Sequence, residues 1–347
     1  MKLFVRPFVV ALLLVLFAGI SFGQKAKTVK IGVSIDSLKI ERWQTDLAAF
    51  QERAEQLGAE VLVKSADGDD ELQVKQVDEL LASGIDVLVL IPHNCDKVIS
   101  AVEAAHARKV AVISYDRLVR NAPIDLFVGF DAFSVGLLQA QALVTHAPKG
   151  NYILLGGSPS DDNSRVVRNG QMKVLDPYIK SGDIHVVADL WVPDWSPTQA
   201  YMLVREQLEK SSGPLTAILA SNDGTAGGAI EALRDKELAG KVLVSGQDAD
   251  LAAIVRLFEG TQLMTVYKPL NQEARMAAEA AVQMATGQTV NTDAAISNGK
   301  GTVKAILLMP VGIDRQNVKS TVLKDGFQRV EMVKQGLPKE LWSELNP

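Results

Sequence analysis

Short apolar runs alternate with amphipathic segments along most of the chain. Runs rich in β-branched residues, such as Thr28–Ile35 and Lys109–Tyr115, predict strands that are buried on both faces. Between them, apolar residues recur at helical spacing, as at Trp43, Leu47 and Phe50. Strands that alternate with helices through short connections predict right-handed crossovers and parallel sheets. The chain is therefore predicted to be an α/β protein.

The strand–helix units fall into two series. The first ends with a short strand at Leu126–Phe130, and the second begins with a helix over Phe133–His146. The two series share a pattern of elements, which predicts two similar doubly wound parallel-sheet lobes. The pattern alone does not decide to which lobe the alanine-rich helix over Asn271–Thr286 returns. Beyond it, Gly299–Val311 is predicted to be an irregular strand pair, and Val318–Gln335 a capping segment.

The N-terminus carries a targeting pattern. Lys2 and Arg6 precede an uncharged apolar run over Phe8–Ile20, and small residues then precede Gln24. This pattern predicts a secretory signal peptide, residues 1–23, cleaved before Gln24. An uncleaved anchor is the alternative, and the run is short for it because a membrane span needs about 20 apolar residues. We expect the mature protein to be soluble and to lie outside the cytoplasm.

Composition narrows the possible functions. The chain has 347 residues, is 47% hydrophobic and carries a formal net charge of −5. This length supports two cores of ordinary domain size. The composition shows no basic face, so a nucleic-acid partner is not supported. Cys95 is the single cysteine, so an internal disulfide cannot form and the exported protein depends on its cores.

Polar side chains, often an acid beside a base, follow the carboxyl ends of the predicted strands. In open α/β sheets, ligands bind in the crevice outside these ends. Asp116-Arg117 is one such pair, an acceptor beside a forked donor that suits neighbouring hydroxyl groups. Each residue alone is more simply explained as a helix N-cap or a solvated charge, but the recurrence favours a binding site. The candidate ligand-binding residues are Arg42, Trp43, Asp116, Arg117, Asp161, Asn163, Trp195, Asn222, Asp248 and Lys268.

The charges of this set indicate the kind of ligand. Its three aspartates balance its two arginines and its lysine, whereas a phosphate or carboxylate ligand would favour a surplus of basic groups. A balanced set with amides suits a neutral polyol, whose hydroxyls donate to carboxylates and accept from cations. Trp43 and Trp195 offer flat apolar faces that could sandwich a pyranose ring. For Trp43, packing in the first turn of its helix is the alternative.

Patterns of catalytic and metal sites are weak. The four histidines are scattered, without the spacing of a zinc site. The stretch Gly156–Ser160 is not a nucleophile elbow, and Gly224–Gly228 lacks both dinucleotide-binding spacing and a Walker lysine. The paired carboxylates have basic neighbours, which is the opposite of what a glycosidase acid requires. We expect no enzymatic activity, no cofactor and no metal.

Several motifs resemble those of the periplasmic sugar-binding proteins of ABC importers, the ribose/galactose-type two-lobed family. The resemblance covers about Val29 to Gln328. Its most specific pieces are Ile40-Glu-Arg-Trp-Gln44, Ser114-Tyr-Asp-Arg117, Gly156-Gly-Ser-Pro159, Ala220-Ser-Asn-Asp223 with Thr225-Ala-Gly-Gly228, Ser245-Gly-Gln-Asp-Ala-Asp250 and Met264-Thr-Val-Tyr-Lys-Pro269. The Glu-Arg-Trp, Gly-Gln-Asp-Ala-Asp and Val-Tyr-Lys-Pro pieces are narrower and resemble the xylose-binding branch. Ala132 and Asp162 depart from the family pattern, which usually or often has Asn there.

The resemblance implies the fold of a type I periplasmic binding protein, with two lobes joined by a three-strand hinge. It implies crossings near Phe130, Tyr267 and Gly299, so that residues 24–130 and 268–298 form the N-terminal lobe. Residues 131–267 and 299–347 would form the C-terminal lobe. The helix over Asn271–Thr286 then returns to the first lobe.

The resemblance also implies function. Sugar contacts would come from the eight polar candidates, with stacking by Trp43 and Trp195. The implied ligand is a monosaccharide, D-xylose before glucose or ribose, and the implied partner of this monomer is the membrane permease of an ABC importer. A sugar-sensing subunit that signals to a membrane kinase or chemoreceptor is the alternative. A repressor effector domain is disfavoured, because a signal peptide stands where a helix-turn-helix would be.

Overall fold

The computed structural model describes residues 28–210, 213–292 and 294–345, in which strands and helices alternate almost throughout. The strands are β1 (Lys30–Ile35), β2 (Glu60–Ser65), β3 (Val87–Leu90), β4 (Ala111–Tyr115), β5 (Leu126–Phe130), β6 (Gly150–Gly156), β7 (Ile184–Trp191), β8 (Leu215–Ala220), β9 (Leu243–Val244), β10 (Thr265–Tyr267), β11 (Ala294–Ser297), β12 (Thr302–Leu308) and β13 (Val311–Ile313). The helices are α1 (Glu41–Gln56), α2 (Asp70–Ala82), α3 (Ile99–Ala107), α4 (Ala132–His146), α5 (Asp162–Lys180), α6 (Pro197–Lys210), α7 (Asp223–Arg234), α8 (Leu251–Glu259), α9 (Leu270–Ala285) and α10 (Val330–Gly336). Short helical turns lie at Pro193–Trp195, Lys319–Leu323 and Lys339–Leu345. The predicted signal peptide, residues 1–23, lies outside the described residues.

Two mainly parallel sheets form two lobes, as the alternating pattern predicted. The first sheet has the order β11-β12-β5-β4-β3-β1-β2, and only β11 runs antiparallel to its neighbour. The second has the order β7-β6-β8-β9 and is parallel throughout. Strands β10 and β13 form a separate antiparallel pair. The predicted α/β class with two doubly wound lobes is confirmed.

The first sheet is buried on both faces, which explains why its strands are apolar without alternation. Along β3, Val87 and Val89 face a core that includes Ala274 of α9. Leu88 and Leu90 face the opposite core, which includes residues of α2 and α3. Helix α9 packs against α1 on the first of these faces. The Asn271–Thr286 pattern therefore belongs, in space, to the first sheet.

The predicted position of the third crossing is wrong. Strand β12 pairs in parallel with β5, from Ala305 beside Phe127 to Leu308 beside Phe130, so the chain is still in the first sheet after Gly299. The second lobe therefore does not begin again at residue 299, as was expected. Gly299–Val311 does not form one irregular strand pair either, because β12 pairs with β11 and β5 whereas β13 pairs with β10. The crossing lies at residues 309–310, between β12 and β13. Burial decides this, because Ala305 and Leu308 complete the core of the first lobe.

The lobes meet directly along the carboxyl ends of their strands. The amide of Cys95 donates to the carbonyl of Ser160 at 3.2 Å, from the first lobe to the second. Nearby, the Nε atom of Arg120 lies 3.7 Å from a carboxylate oxygen of Asp162. These contacts between the lobes therefore place the strand-end residues of both lobes at one cleft. Within the described ranges, no helix is both long and apolar enough to cross a membrane.

Helices α4 and α5 approach each other so closely that only glycine fits at their contact. A Cβ atom at Gly136 would lie 2.0 Å from the carbonyl oxygen of Val167. A Cβ atom at Gly170 would lie 2.1 Å from the carbonyl oxygen of Phe133. Both obstacles are backbone atoms, which cannot move without moving a helix.

We expect Gly136→Ala to lower the free energy of unfolding by about 2 kcal/mol, because overpacking forces the helices apart. Gly301→Ala is the matched control, since a Cβ atom there has no neighbour within 4 Å. Urea unfolding of both variants, followed by circular dichroism, measures the difference. Equal unfolding midpoints for the two variants would contradict this account of the contact between α4 and α5.

Candidate functional site

A cavity of about 280 Å³ lies in the cleft between the two lobes. All ten residues selected from the sequence line it, namely Arg42, Trp43, Asp116, Arg117, Asp161, Asn163, Trp195, Asn222, Asp248 and Lys268. The remaining lining residues are Lys39, Ile40, Asp194, Pro197, Gly224, Gln247 and Asp250. Residues from the ends of strands in both lobes therefore converge, and their role in ligand binding stays a prediction.

Local structure explains how several of these side chains reach the cavity. Asp161 begins α5 by accepting a hydrogen bond from the amide of Asn163 at 2.9 Å, and Asn222 begins α7 by accepting one from Thr225 at 2.9 Å. Both are therefore helix N-caps and cavity residues at once. Asp116 and Asp248 have φ angles of 56° and 101°, in the left-handed region that disfavours side-chain-bearing residues. Such strain is common where a structure must aim a side chain at a ligand.

The guanidinium of Arg42 lies among the carboxyl groups of Asp46, Asp116, Asp248 and Glu273. We call these five residues, together with Lys268, the Arg42 cluster. Its Nη2 atom donates to Asp116 at 2.5 Å and to Glu273 at 3.2 Å. Its Nε atom lies 3.5 Å from Asp46. Its Nη1 atom points across the cleft to Asp248, at 3.8 Å, and Lys268 lies 2.8 Å from the same carboxylate oxygen. The cluster therefore reaches from the first lobe to the second.

Arg117 forms a second connection between the lobes. Its Nη1 atom donates to Asp36 at 2.7 Å, within the first lobe. Its Nε atom lies 3.1 Å from Asp161, in the second lobe. Asp36 also bonds the Nδ1 atom of His93 at 2.8 Å. Because these groups are largely buried, the charges are screened little by solvent and are held in a fixed arrangement.

The two tryptophans have different environments. Trp195 packs over Gly157, where a Cβ atom would lie 2.1 Å from the indole, and its Nε1 atom donates to Asp161 at 3.1 Å. One face of this indole is therefore already covered. Trp43 is buried in the core of the first lobe, and the guanidinium of Arg42 lies 4.5 Å from the centre of its ring. Trp43 is thus both a core residue and a cavity wall, and the sandwich of a pyranose stays a prediction.

Burial and neighbouring charges divide the carboxyl groups of the Arg42 cluster by pKa. Burial raises the pKa of Asp46 to about 7, and Asp116 adds to the shift while Arg42 opposes it. Burial also raises the pKa of Glu273 well above its usual value, with Asp116 contributing and Arg42 again opposing. For Asp116, burial acts in the same direction, but Arg42 and Lys268 outweigh it and lower the pKa. Within the Arg42 cluster, the pKa shifts therefore favour an ionised Asp116 at the cavity and shift Asp46 and Glu273, behind it, toward their protonated forms.

Sequence reasoning missed three acids of this site. Asp36 follows β1 directly, so the strand-end rule contained the signal for it. Asp46 stands one helical turn after Arg42, a spacing that brings two side chains together. Glu273 lies inside α9 and is fully buried, and no local pattern connects it to Arg42. The balanced count of three acids and three bases therefore omitted these three acids behind the cavity wall, and it also left out Lys39, Asp194 and Asp250 of the lining itself.

No cluster of three or more histidine, cysteine or acidic side chains is arranged to hold a metal ion in the part of the chain that the structure describes. Burial raises the pKa of Cys95 to about 12, with Asp96 contributing, so its thiol is a poor nucleophile at neutral pH. The cavity instead presents carboxylates, guanidinium groups and amides side by side. This arrangement can bind a small polyhydroxylated molecule, since each hydroxyl both donates and accepts.

Two α/β lobes that enclose a polar cavity between the ends of their strands define a ligand-binding protein of the two-lobed type. The comparison with known proteins identifies the family: the chain belongs to the periplasmic binding protein domain family, whose model matches residues 31–289.

Curated relatives and solved structures agree with this assignment. The chain is 48% identical over 304 residues to the D-xylose-binding periplasmic protein of Escherichia coli (strain K12), which covers 88% of this chain and 92% of that protein. It is 47% identical over 308 residues to the protein of the same name from Haemophilus influenzae, covering 89% and 93%. A carbohydrate transporter solute binding protein from Chloroflexus aurantiacus, solved with D-glucose, matches with a TM-score of 0.82 at 30% identity, covering 88% of this chain and 98% of that one. The resemblance stated from the sequence motifs is confirmed at the level of the family.

We expect Asp46→Asn to remove a pH dependence from the stability of the protein. Asp46 titrates at about 7 when folded and at about 4 when unfolded, so the unfolded chain binds fewer protons between these values. The stability of the unmodified protein therefore falls by up to about 1.4 kcal/mol per pH unit from pH 4 to 7 through this group and levels off above. Chemical unfolding of both proteins at several pH values measures the difference.

The matched control for this prediction is Asp78→Asn, at an exposed position of α2. Its stability should follow that of the unmodified protein at every pH. If Asp46→Asn shows the same pH slope as Asp78→Asn between pH 4 and 7, Asp46 is not a protonated buried acid.

Proposed function

We propose that the mature chain is an extracytoplasmic solute-binding protein that captures a monosaccharide, most readily D-xylose, and delivers it to the membrane permease of an ABC importer. The observation that carries this proposal is the cavity of about 280 Å³ between the lobes, which is lined by five aspartates, four basic side chains and two tryptophans. The cavity offers a neutral sugar both donors and acceptors on all sides. Its size suits one small ring rather than a chain of sugars.

The gap between Arg42 and Asp248 supports a ligand that bridges the lobes. The Nη1 atom of Arg42 lies 3.8 Å from the nearest carboxylate oxygen of Asp248, which is too long for a hydrogen bond. A sugar hydroxyl between them would accept from the guanidinium and donate to the carboxylate, and both bonds would be charge-assisted. The ligand would thereby complete a connection that the protein leaves open.

Lobe closure follows from contacts on both sides of the cleft. Three crossings of the chain join the lobes, after β5, after β10 and between β12 and β13, and hinge closure of two lobes is a common motion in proteins of this shape. A sugar that contacts Arg42 in one lobe and Asp248 in the other binds the closed form better than the open form. It therefore shifts the population toward the closed form, which a permease can distinguish from the open one.

The relatives support the ligand and the compartment. Two relatives that share almost half of their residues with this chain are D-xylose-binding periplasmic proteins, and the family consists of binding proteins rather than enzymes. Together with the signal-peptide pattern, this supports export to the periplasm and binding without chemical change of the sugar. We propose that the protein acts there as a monomer, with glucose or ribose as weaker alternatives to xylose.

We expect Trp195→Ala and Asp248→Ala each to weaken the binding of D-xylose by more than about tenfold. The first loses the apolar face that covers a sugar ring, and the second loses a charge-assisted hydrogen bond, each a loss of about 1.5 kcal/mol or more. Isothermal titration calorimetry measures the affinities, and far-UV circular dichroism verifies the fold of each variant.

Trp342→Ala is the control, because this tryptophan lies in the C-terminal helical turn and does not line the cavity. Its affinity should equal that of the unmodified protein. Unchanged affinity in both cavity variants would contradict the proposed site. Titration of tryptophan fluorescence with xylose, glucose, ribose and arabinose then ranks the sugars, and no response to any of them would contradict the proposed ligand class.

A further inference from the structure

Glu273 is a buried acid beside the cavity that does not line it. It lies in the first turn of α9 and is fully buried. Its Oε2 atom accepts a hydrogen bond from the Nη2 atom of Arg42 at 3.2 Å, and its Oε1 atom has no hydrogen-bond partner. An ionised carboxylate with an unpaired oxygen in such a place would be strongly unfavourable, so the geometry favours the neutral acid.

The groups that face Glu273 favour the same state. Arg42 and Asp46 approach it from α1, Tyr115 and Asp116 from the end of β4, and Lys268 from the residues before α9. Counted with Asp248 on the far side of Arg42, four carboxyl groups share two cations. Full ionisation would leave an excess of buried negative charge. Like charges at such distances disfavour ionisation of the most buried member.

The hydrogen bonds of Arg42 show what Glu273 contributes. Its Nη2 atom is held on two sides, by Asp116 and by Glu273. With that nitrogen fixed, the planar guanidinium has little rotational freedom, and its Nη1 atom must point into the cleft toward Asp248. Glu273 therefore determines the direction of the donor that faces the ligand, although it does not contact the cavity itself.

We propose that Glu273 is a positioning residue for sugar binding. As a neutral carboxylic acid, Glu273 holds the guanidinium of Arg42 in place, and its ionisation makes the affinity for the sugar dependent on pH. The inference rests on the proposed function. Burial raises the pKa of this carboxyl well above its usual value, in agreement with the geometry. When Glu273 ionises at alkaline pH, it competes with Asp116 and the ligand for the guanidinium. The affinity for the sugar therefore falls as pH rises.

The test compares three variants by calorimetric titration with D-xylose from pH 6 to pH 9.5. Glu273→Gln keeps the shape and the accepting oxygen of the neutral acid, so its affinity at pH 6 should lie within about threefold of the unmodified protein. It should also lose less affinity between pH 6 and 9.5 than the unmodified protein does. Glu273→Ala should bind about tenfold more weakly at every pH, since Arg42 loses a charge-assisted hydrogen bond.

Glu279→Ala is the matched control on the same helix, because Glu279 is partly exposed and pairs with Arg53 outside the cavity. Its affinity and its pH slope should equal those of the unmodified protein. D-xylose does not ionise in this range, so the slope belongs to the protein. Asp46 also ionises within this range, with a pKa of about 7, and the comparison of Glu273→Gln with the unmodified protein separates the two acids.

Three outcomes would overturn the inference. If Glu273→Gln binds as weakly as Glu273→Ala, the site requires the charged acid. If Glu273→Ala binds as tightly as the unmodified protein, Glu273 does not position Arg42. If the Gln variant and the unmodified protein have equal pH slopes, Glu273 does not titrate in the site, and this comparison decides even where the Ala variant fails to fold. Absence of xylose binding by the unmodified protein would instead overturn the proposed function.

Discussion

The burial of a guanidinium among carboxyl groups is the constraint on which the rest of this structure depends. Arg42 is almost removed from solvent, and so are Asp46, Asp116 and Glu273 around it. Buried charges are costly unless they are paired and hydrogen-bonded. These three acids lie in α1, just after β4 and in α9, and the fourth partner, Asp248, lies in the second lobe. The positions of these elements and the charge state of the cluster therefore determine one another.

This constraint connects the fold to ligand binding. The first lobe satisfies Nη2 of Arg42 with two acids, and the second lobe places Asp248 3.8 Å from Nη1, which is beyond hydrogen-bond distance. Arg117 makes a direct contact across the same cleft with Asp161. In the proposed function, the closed arrangement is thus held partly by the protein and partly by the ligand. A binding protein requires this division, because a cleft closed by its own contacts alone would not open for the sugar.

Much of the fold followed from local pattern. The bounds of β5 agree with the predicted ones, and α4 begins one residue before the predicted Phe133 and ends at His146 as predicted, since each is an apolar segment between clear turn signals. The end of the first lobe did not follow. Residues 302–308 form a strand of the first sheet because β5 offers an open edge to them, and nothing in their own sequence identifies that partner. The hinge crossing was therefore placed about ten residues too early.

The sequence by itself determined which side chains stand at the ends of strands, and with them a balanced set of donors and acceptors for a neutral ligand. All ten of those side chains reach one cavity, because parallel strands bring their carboxyl ends to the same edge. Only the tertiary structure decided the protonation of the site. Glu273 lies more than two hundred positions from Arg42, and a pKa depends on burial and on neighbours in space, which the order of residues along the chain does not record.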